Sequence, residues 1–196
     1  MSKLYITGQK RLSGAVTVQG AKNSALPILA ACVLARGESV LYRCPQLSDT
    51  EASLRILRWL GCRTERADDT VLVHNDGLTR CDIPDALMRQ TRGSIMFLGA
   101  VLARQGRARL SLPGGCAIGQ RPIDLHLKAL RSLGAVIKER RGILDCRAPH
   151  GLRGADITLP FPSVGATEDI ILAACTASGV TTVTKTEEHT SELQSR

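Results

Sequence analysis

Apolar residues recur at three-to-four spacing in a handful of short runs, and each run stops at a glycine before a brief alternating segment. Ile28-Leu29-Ala30-Ala31-Cys32 closes toward Gly37, Leu98 to Ala103 toward Gly106, and Ile171-Leu172-Ala173-Ala174-Cys175 toward Gly179. A second kind of run, Leu54-Arg55-Ile56-Leu57-Arg58-Trp59-Leu60-Gly61, is paralleled by Leu127-Lys128-Ala129-Leu130-Arg131-Ser132-Leu133-Gly134. The spacing predicts helices there and short strands over Ala15–Gln19, Ser39–Tyr42, Val71–His74, Ala108–Leu112, Val136–Lys138, Ile157–Leu159 and Thr181–Thr184. Residues 12–41 and 152–183 follow one plan (Leu-x-Gly-Ala, strand, loop, Ala-rich helix, glycine), so the chain contains a weak internal repeat. The Ala-rich helices are apolar nearly all round and therefore predict burial on most faces. Repeated β-α-β units around buried helices describe an inside-out α/β barrel. The competing arrangement, a doubly wound parallel sheet, wants longer and continuously apolar strands than these.

Composition narrows the class. The 196 residues are 43% hydrophobic but only 3% aromatic, so the core is built from Ala, Leu, Ile and Val. No apolar run is long enough to cross a bilayer and the N-terminus lacks a signal-peptide pattern, so a cytoplasmic protein is expected. Seven scattered cysteines, with no Cys-x-x-Cys pair, indicate neither a disulfide framework nor a zinc site. Cys32 and Cys175 lie in apolar helical runs and are expected as buried small hydrophobes. The four histidines are far apart, and no metal or cofactor is expected. The formal charge is +8. Because Lys and Arg are dispersed and aromatics scarce, small anions are favoured over nucleic acid or membrane, and part of the surplus is solvated surface.

One stretch stands outside the repeat. After Leu110-Ser111-Leu112, residues Pro113, Gly114, Gly115 and Gly119 forbid regular structure, and Pro122 suits the first turn of a following helix. The loop between presents Cys116 and Arg121. A neighbouring guanidinium favours the thiolate, the reactive form of cysteine, although an incidental cysteine in a surface turn fits the residues equally well.

The run Pro113–His126 resembles the catalytic loop of the UDP-N-acetylglucosamine 1-carboxyvinyltransferases, a family of enolpyruvyl transferases. The resemblance covers residues 3 to about 184 and includes Gly20-Ala21-Lys22-Asn23-Ser24-Ala25-Leu26-Pro27, Thr91-Arg92-Gly93-Ser94 and Phe161-Pro162-Ser163-Val164-Gly165-Ala166-Thr167. It implies the inside-out barrel fold, in incomplete form. It also implies transfer of an enolpyruvyl group from phosphoenolpyruvate to the 3-hydroxyl of UDP-N-acetylglucosamine, the first committed step of peptidoglycan synthesis. In that reading Cys116 is the catalytic proton donor and the residue alkylated by fosfomycin. Lys22 and Asn23 meet phosphoenolpyruvate and help place the sugar nucleotide, and Arg92 is the arginine of the phosphoenolpyruvate region. Arg121, Pro122, Ile123, Asp124 and Leu125 approach the uridine nucleotide and the phosphate, as do Ser163, Val164 and Gly165. Some members carry a lysine where Phe161 stands, which puts that one charged contact in doubt.

Read without the resemblance, several of these residues have plainer roles. Lys22 at a loop-to-helix junction near Leu26-Pro27 suits a phosphate but also suits an ordinary surface, and Arg89 and Arg80 are as basic as Arg92. Asp124 fits a helix first turn, Thr167 fits the cap of the helix toward Ile171, and His126, with no carboxylate near it in sequence, is assigned no chemistry. The alternatives are a relative of the shikimate-pathway enolpyruvyl transferase, which lacks the Pro-Gly-Gly-Cys loop, and a basic nucleic-acid-binding module on a related repeat. The resemblance further implies three regions: a strand segment at 1–21 that packs with a second barrel absent here, a first barrel over 22–184 without its third repeat, and a tail at 185–196. That tail lacks apolar periodicity and reads like a translated sequencing adapter, a natural polar terminus being the other reading. The family's aspartate base and a further arginine belong to the second barrel, so no turnover is expected of this chain alone.

Overall fold

A computed structural model of the chain describes residues 4–9, 11, 13–113 and 123–184. Cys116, Arg121 and Pro122 lie outside the described residues, as does the tail from 185 onward.

The helices are α1 (Lys22–Ala31), α2 (Ser48–Leu60), α3 (Asp85–Met88), α4 (Phe97–Gln105), α5 (Asp124–Ser132) and α6 (Val164–Ala174), with a 3-10 turn at Arg92–Met96 leading directly into α4. The strands are β1 (Gly37–Leu41), β2 (Arg63–Ala67), β3 (Thr70–Asn75), β4 (Asp82–Ile83), β5 (Arg107–Ser111), β6 (Val136–Arg140), β7 (Ile143–Arg147), β8 (Asp156–Thr158) and β9 (Thr182–Thr184). They form three sheets, ordered β1-β3-β2, β4-β5-β7-β6 and β8-β9.

The internal repeat governs this topology. A sheet built as strand, helix, antiparallel hairpin occurs once as β1-α2-β2-β3 and again as β5-α5-β6-β7, with the hairpin's second strand central each time. The β-α-β unit appears as β4-α4-β5 and β8-α6-β9, each with parallel strands. Of the Ala-rich helices α4 occupies the interior, whereas α1 and α6 bury one side and leave Ile28 and Ile171 exposed on the other. Phe97, Leu98, Gly99, Ala100, Val101 and Leu102 of α4 are all buried, and α4 packs on α6, which buries Ala166, Ile170 and Ala173. Helices are therefore inside and sheets outside, and no doubly wound parallel sheet is present among the described residues.

Close helix packing depends on Gly99. A Cβ there would lie 2.5 Å from both the backbone oxygen and Oδ1 of Asp169 in α6. Gly99→Ala therefore forces α4 and α6 apart, and a loss of about 1–3 kcal/mol is expected in chemical denaturation. A stability equal to that of the unaltered chain would show that the two helices adjust freely.

Two local expectations change. Helix α1 begins at Lys22 rather than near Leu26-Pro27, because the Ala25 amide already donates to the Ala21 carbonyl at 3.0 Å, and Pro27 sits inside the helix. The segment Ala15–Gln19 forms no strand, and Val16 and Val18 are exposed. By the repeat it corresponds to β4 and β8, each of which gains its ladder from a parallel neighbour. An alternating sequence without such a neighbour leaves its amides and carbonyls to water.

Candidate functional site

Lys22 opens α1, so its ammonium stands beside first-turn amides that have no intrahelical acceptor, and the preceding Ala21 has no side chain to cap them. Its Nζ lies 3.1 Å from Oδ2 of Asp49, in the first turn of α2. The other oxygen of Asp49 accepts from the Thr91 hydroxyl. Thr91 Oγ1 in turn accepts the Gly93 amide at 3.2 Å and so caps the 3-10 turn on which half-buried Arg92 stands. Gly93 faces Leu26 so closely that a Cβ would fall 2.7 Å from Leu26 Cδ1.

The same contacts continue to the other helix starts. A Cβ on Gly165, in the first turn of α6, would lie 3.2 Å from Cε of Met96 and 3.6 Å from Cε1 and Nε2 of His126 in α5. Ser163 caps α6 by accepting the Ala166 amide at 3.3 Å, whereas Thr167 lies inside the helix and donates back to the Ser163 carbonyl at 2.9 Å. The N-terminal ends of α1, α2, the 3-10 turn, α5 and α6 are thus linked side by side. Each brings the positive end of its peptide dipoles, and α1 its uncapped first-turn amides as well; together with Lys22 and Arg92 they suit phosphate and carboxylate groups.

The exposed members of this set are Lys22, Asn23, Asp124 and Val164, with Ser163, Gly165 and Arg92 partly covered. The side chains of Ile123 and Leu125 are buried in the core, so what they offer a ligand is backbone. Arg80 and Arg89 have work elsewhere. Arg80 stacks 3.9 Å from the centroid of Trp59, and Arg89 pairs with Asp85 at 2.6 Å across one helical turn.

The Thr91 hydroxyl above all holds the Asp49 carboxyl below the usual carboxylate range; burial opposes it, and Lys22 adds to the lowering. Burial pushes the Glu168 carboxyl up, with His126 opposing. Asp169, wholly buried, accepts the Gly99 amide on Oδ1 at 2.8 Å and faces Nδ1 of His126 with Oδ2 at 3.1 Å. This buried pair ties α4, α5 and α6 together just behind the helix starts. Sequence reasoning missed the roles of Asp49, Thr91 and Asp169, because Asp49 lies 27 residues from Lys22, Thr91 lies 42 from Asp49 and Asp169 lies 43 from His126, and only the fold brings them together.

Among the described residues no cluster of His, Cys, Asp or Glu is arranged to hold a metal ion, and no helix is long and apolar enough to cross a membrane. Burial raises the thiols of Cys32 and Cys44, and pushes Cys62 up to about 11 and Cys146 to about 12. Cys175 is exposed, contrary to expectation, because α6 ends there and its C-cap position faces outward. Brief iodoacetamide treatment of the native chain is expected to modify Cys175 well before Cys62 and Cys146, read by peptide mass spectrometry. Equal labelling of all three would contradict the burial described.

A family model described as EPSP synthase (3-phosphoshikimate 1-carboxyvinyltransferase) matches residues 6–194. A protein of Caldanaerobacter subterraneus subsp. tengcongensis named UDP-N-acetylglucosamine 1-carboxyvinyltransferase 2 is 48% identical over 183 residues, covering 93% of this chain and 44% of the relative. UDP-N-acetylglucosamine 1-carboxyvinyltransferase 1 of Symbiobacterium thermophilum is 46% identical, covering 92% of this chain and 42% of the relative. The chain thus spans less than half the length of these relatives. In structure it is similar to the enolpyruvyl transferase NikO from Streptomyces tendae (TM-score 0.78, 25% identity, 90% of this chain and 41% of that one). It also shares the fold of EPSP synthase from Acinetobacter baumannii (TM-score 0.69, 22% identity, 92% and 43%).

Proposed function

The chain belongs to the EPSP synthase family of enolpyruvyl transferases, and from that premise we propose that it forms the part of a UDP-N-acetylglucosamine 1-carboxyvinyltransferase that grips phosphoenolpyruvate and the sugar nucleotide. The observation that carries this reading over the shikimate-type one is the 48% identity to a relative of that name. The sequence Pro113-Gly114-Gly115-Cys116 supports the same choice.

In chemical terms the reaction adds a proton to the methylene carbon of phosphoenolpyruvate while the neighbouring carbon accepts the sugar 3-hydroxyl, whose proton passes to a base; phosphate then leaves as the new methyl group gives up a proton, which restores the carbon–carbon double bond. Lys22 and Arg92, standing among the helix starts, hold the phosphate and carboxylate and stabilise charge as the phosphate departs. Asn23 positions the sugar nucleotide beside them. Ser163, Val164 and Gly165, with Asp124 and the backbone of Ile123 and Leu125, meet the nucleotide. Cys116 supplies the proton, and Arg121 and Pro122 border the nucleotide and phosphate. Residues 22–184 make up the first barrel. Residues 1–21 pack with a second barrel, which also brings the base for the sugar hydroxyl. The protein works in the cytoplasm, without a cofactor.

The test is a chimaera in which residues 1–184 replace the matching part of the Caldanaerobacter relative, assayed for phosphate release from phosphoenolpyruvate. Turnover is expected with UDP-N-acetylglucosamine as acceptor, and none with shikimate 3-phosphate or with the present chain alone. A folded chimaera that prefers shikimate 3-phosphate, or release by the chain alone, would overturn the reading.

A further inference from the structure

Lys and Arg look dispersed along the sequence, yet the strand register gathers six of them on one surface. On the outer face of the β4-β5-β7-β6 sheet, Arg107 and Arg109 of β5 alternate with buried Ala108 and Leu110. Arg147 of β7 alternates with buried Cys146, and β6 adds Lys138 and Arg140. Pairing aligns Arg109 with Asp145 and Lys138 in one row, and Arg107 with Arg147 and Val136 in the next. Arg141 completes the set from the β6–β7 turn, where its φ of 51° is a conformation that a long side chain adopts at some energetic expense. All of them but Arg107 border an open groove of about 950 Å³ over the sheet.

The repeat supplies an internal control. The sister sheet β1-β3-β2 has the same construction, but its outer face carries Glu38, Glu65 and only one Arg, Arg63, and its turn begins with Asp68 at the same φ of 51°. Solvation of such a face therefore does not require a cation cluster. On the basic sheet the one carboxylate in the groove, Asp145, is held by Arg147 at 3.1 Å and 3.2 Å and by Arg107 at 3.3 Å. Asp145 is the cross-strand neighbour of Arg109 and Lys138 as well, but among the described residues its ion pairs within 4.0 Å are with Arg107 and Arg147.

We propose that this face docks an acidic protein segment that carries apolar side chains between its carboxylates. Arginine forks suit carboxylates in bidentate geometry, as Arg147 on Asp145 already illustrates. Val136 and Ile143, 49% and 38% exposed between the cations, offer contact to aliphatic side chains. No aromatic residue lines the groove, so it lacks the stacking platforms by which single-stranded nucleic acid is usually gripped. The proposal is independent of the transferase activity, since none of these residues belongs to the helix starts.

Fluorescence anisotropy of a fluorescein-labelled peptide of alternating glutamate and leucine, titrated with the full chain, tests it. Binding is expected that weakens steeply with salt, falls about tenfold or more in Lys138→Glu and Arg140→Glu, and is unchanged in Arg63→Glu on the sister sheet. A peptide with serine in place of leucine is expected to bind more weakly. All three substituted positions are exposed, and unchanged circular dichroism melting secures the comparison. Absence of peptide binding, equal loss in Arg63→Glu, or tighter binding of oligo-dT of the same charge would overturn the proposal, the last outcome marking a nucleic-acid face instead.

Discussion

Replacing Asp169 with alanine is expected to destabilise the chain by about 3–5 kcal/mol in urea denaturation, the range typical of breaking a buried polar pair from one side. The carboxylate is wholly buried and serves two donors at once, the Gly99 amide and the His126 ring. With alanine both remain in the interior without an acceptor, and each orphaned group alone costs about 1–3 kcal/mol. Asp169→Asn separates polarity from charge. Its amide oxygen can keep the Gly99 bond, while its NH2 faces His126 Nδ1 and forces the proton onto Nε2. A smaller loss with a changed tautomer, seen in the histidine nitrogen shifts, is therefore expected. A loss under about 1 kcal/mol in the alanine variant would mean that the pair does not hold the three helices together.

The largest effect on activity is expected at Lys22. In the chimaera, Lys22→Met is expected to lower kcat/KM for phosphoenolpyruvate by about 10²–10³-fold, as for the loss of one preorganised charged donor to a departing anion. Asp49→Asn, which leaves the ammonium in place but removes its anchor, is expected to act more mildly. It also has a signature of its own. Because Thr91 and Lys22 depress the Asp49 carboxyl, its contribution to stability is full above the ordinary carboxylate pKa and disappears as the pH falls through the depressed one. The stabilities of Asp49→Asn and the unaltered chain are therefore expected to converge in acid. Wild-type kcat/KM in Lys22→Met would remove Lys22 from the site.

What the sequence made legible was local. Helix periodicity, the glycine stops and the doubled pattern of residues 12–41 and 152–183 specify the buried helices and most strands, since each signal is written within one turn or one hairpin. Strand β2, Arg-Thr-Glu-Arg-Ala, has no such signal. It is polar along most of its length and exists because β3 offers it a ladder. Strand β7 is half-hidden in the same way behind Arg and Asp. Pro27 drew the expected start of α1 too far along the chain, although the Ala21 carbonyl had already begun the helix. In the site, Lys22, Arg92 and Ser163 were readable because each sits where a loop becomes a helix. Asp49, which pairs with Lys22, Thr91, which caps the turn of Arg92, and Asp169, which joins α4, α5 and α6 behind them, were not readable, because ion pairs and caps between distant segments leave no spacing to find. The basic sheet face was hidden for the same reason, since register, and not sequence neighbourhood, assembles it.

At the centre of the account stand the linked helix starts as the place where anionic substrates are held. Amide chemical-shift mapping of the isotope-labelled chain during titration with phosphoenolpyruvate and then UDP-N-acetylglucosamine reports on it directly. The largest shifts are expected at residues 22–25, 92–94, 124–126 and 163–166. Shifts confined to the cation-rich strands 136–147, with the helix starts unmoved, would contradict it.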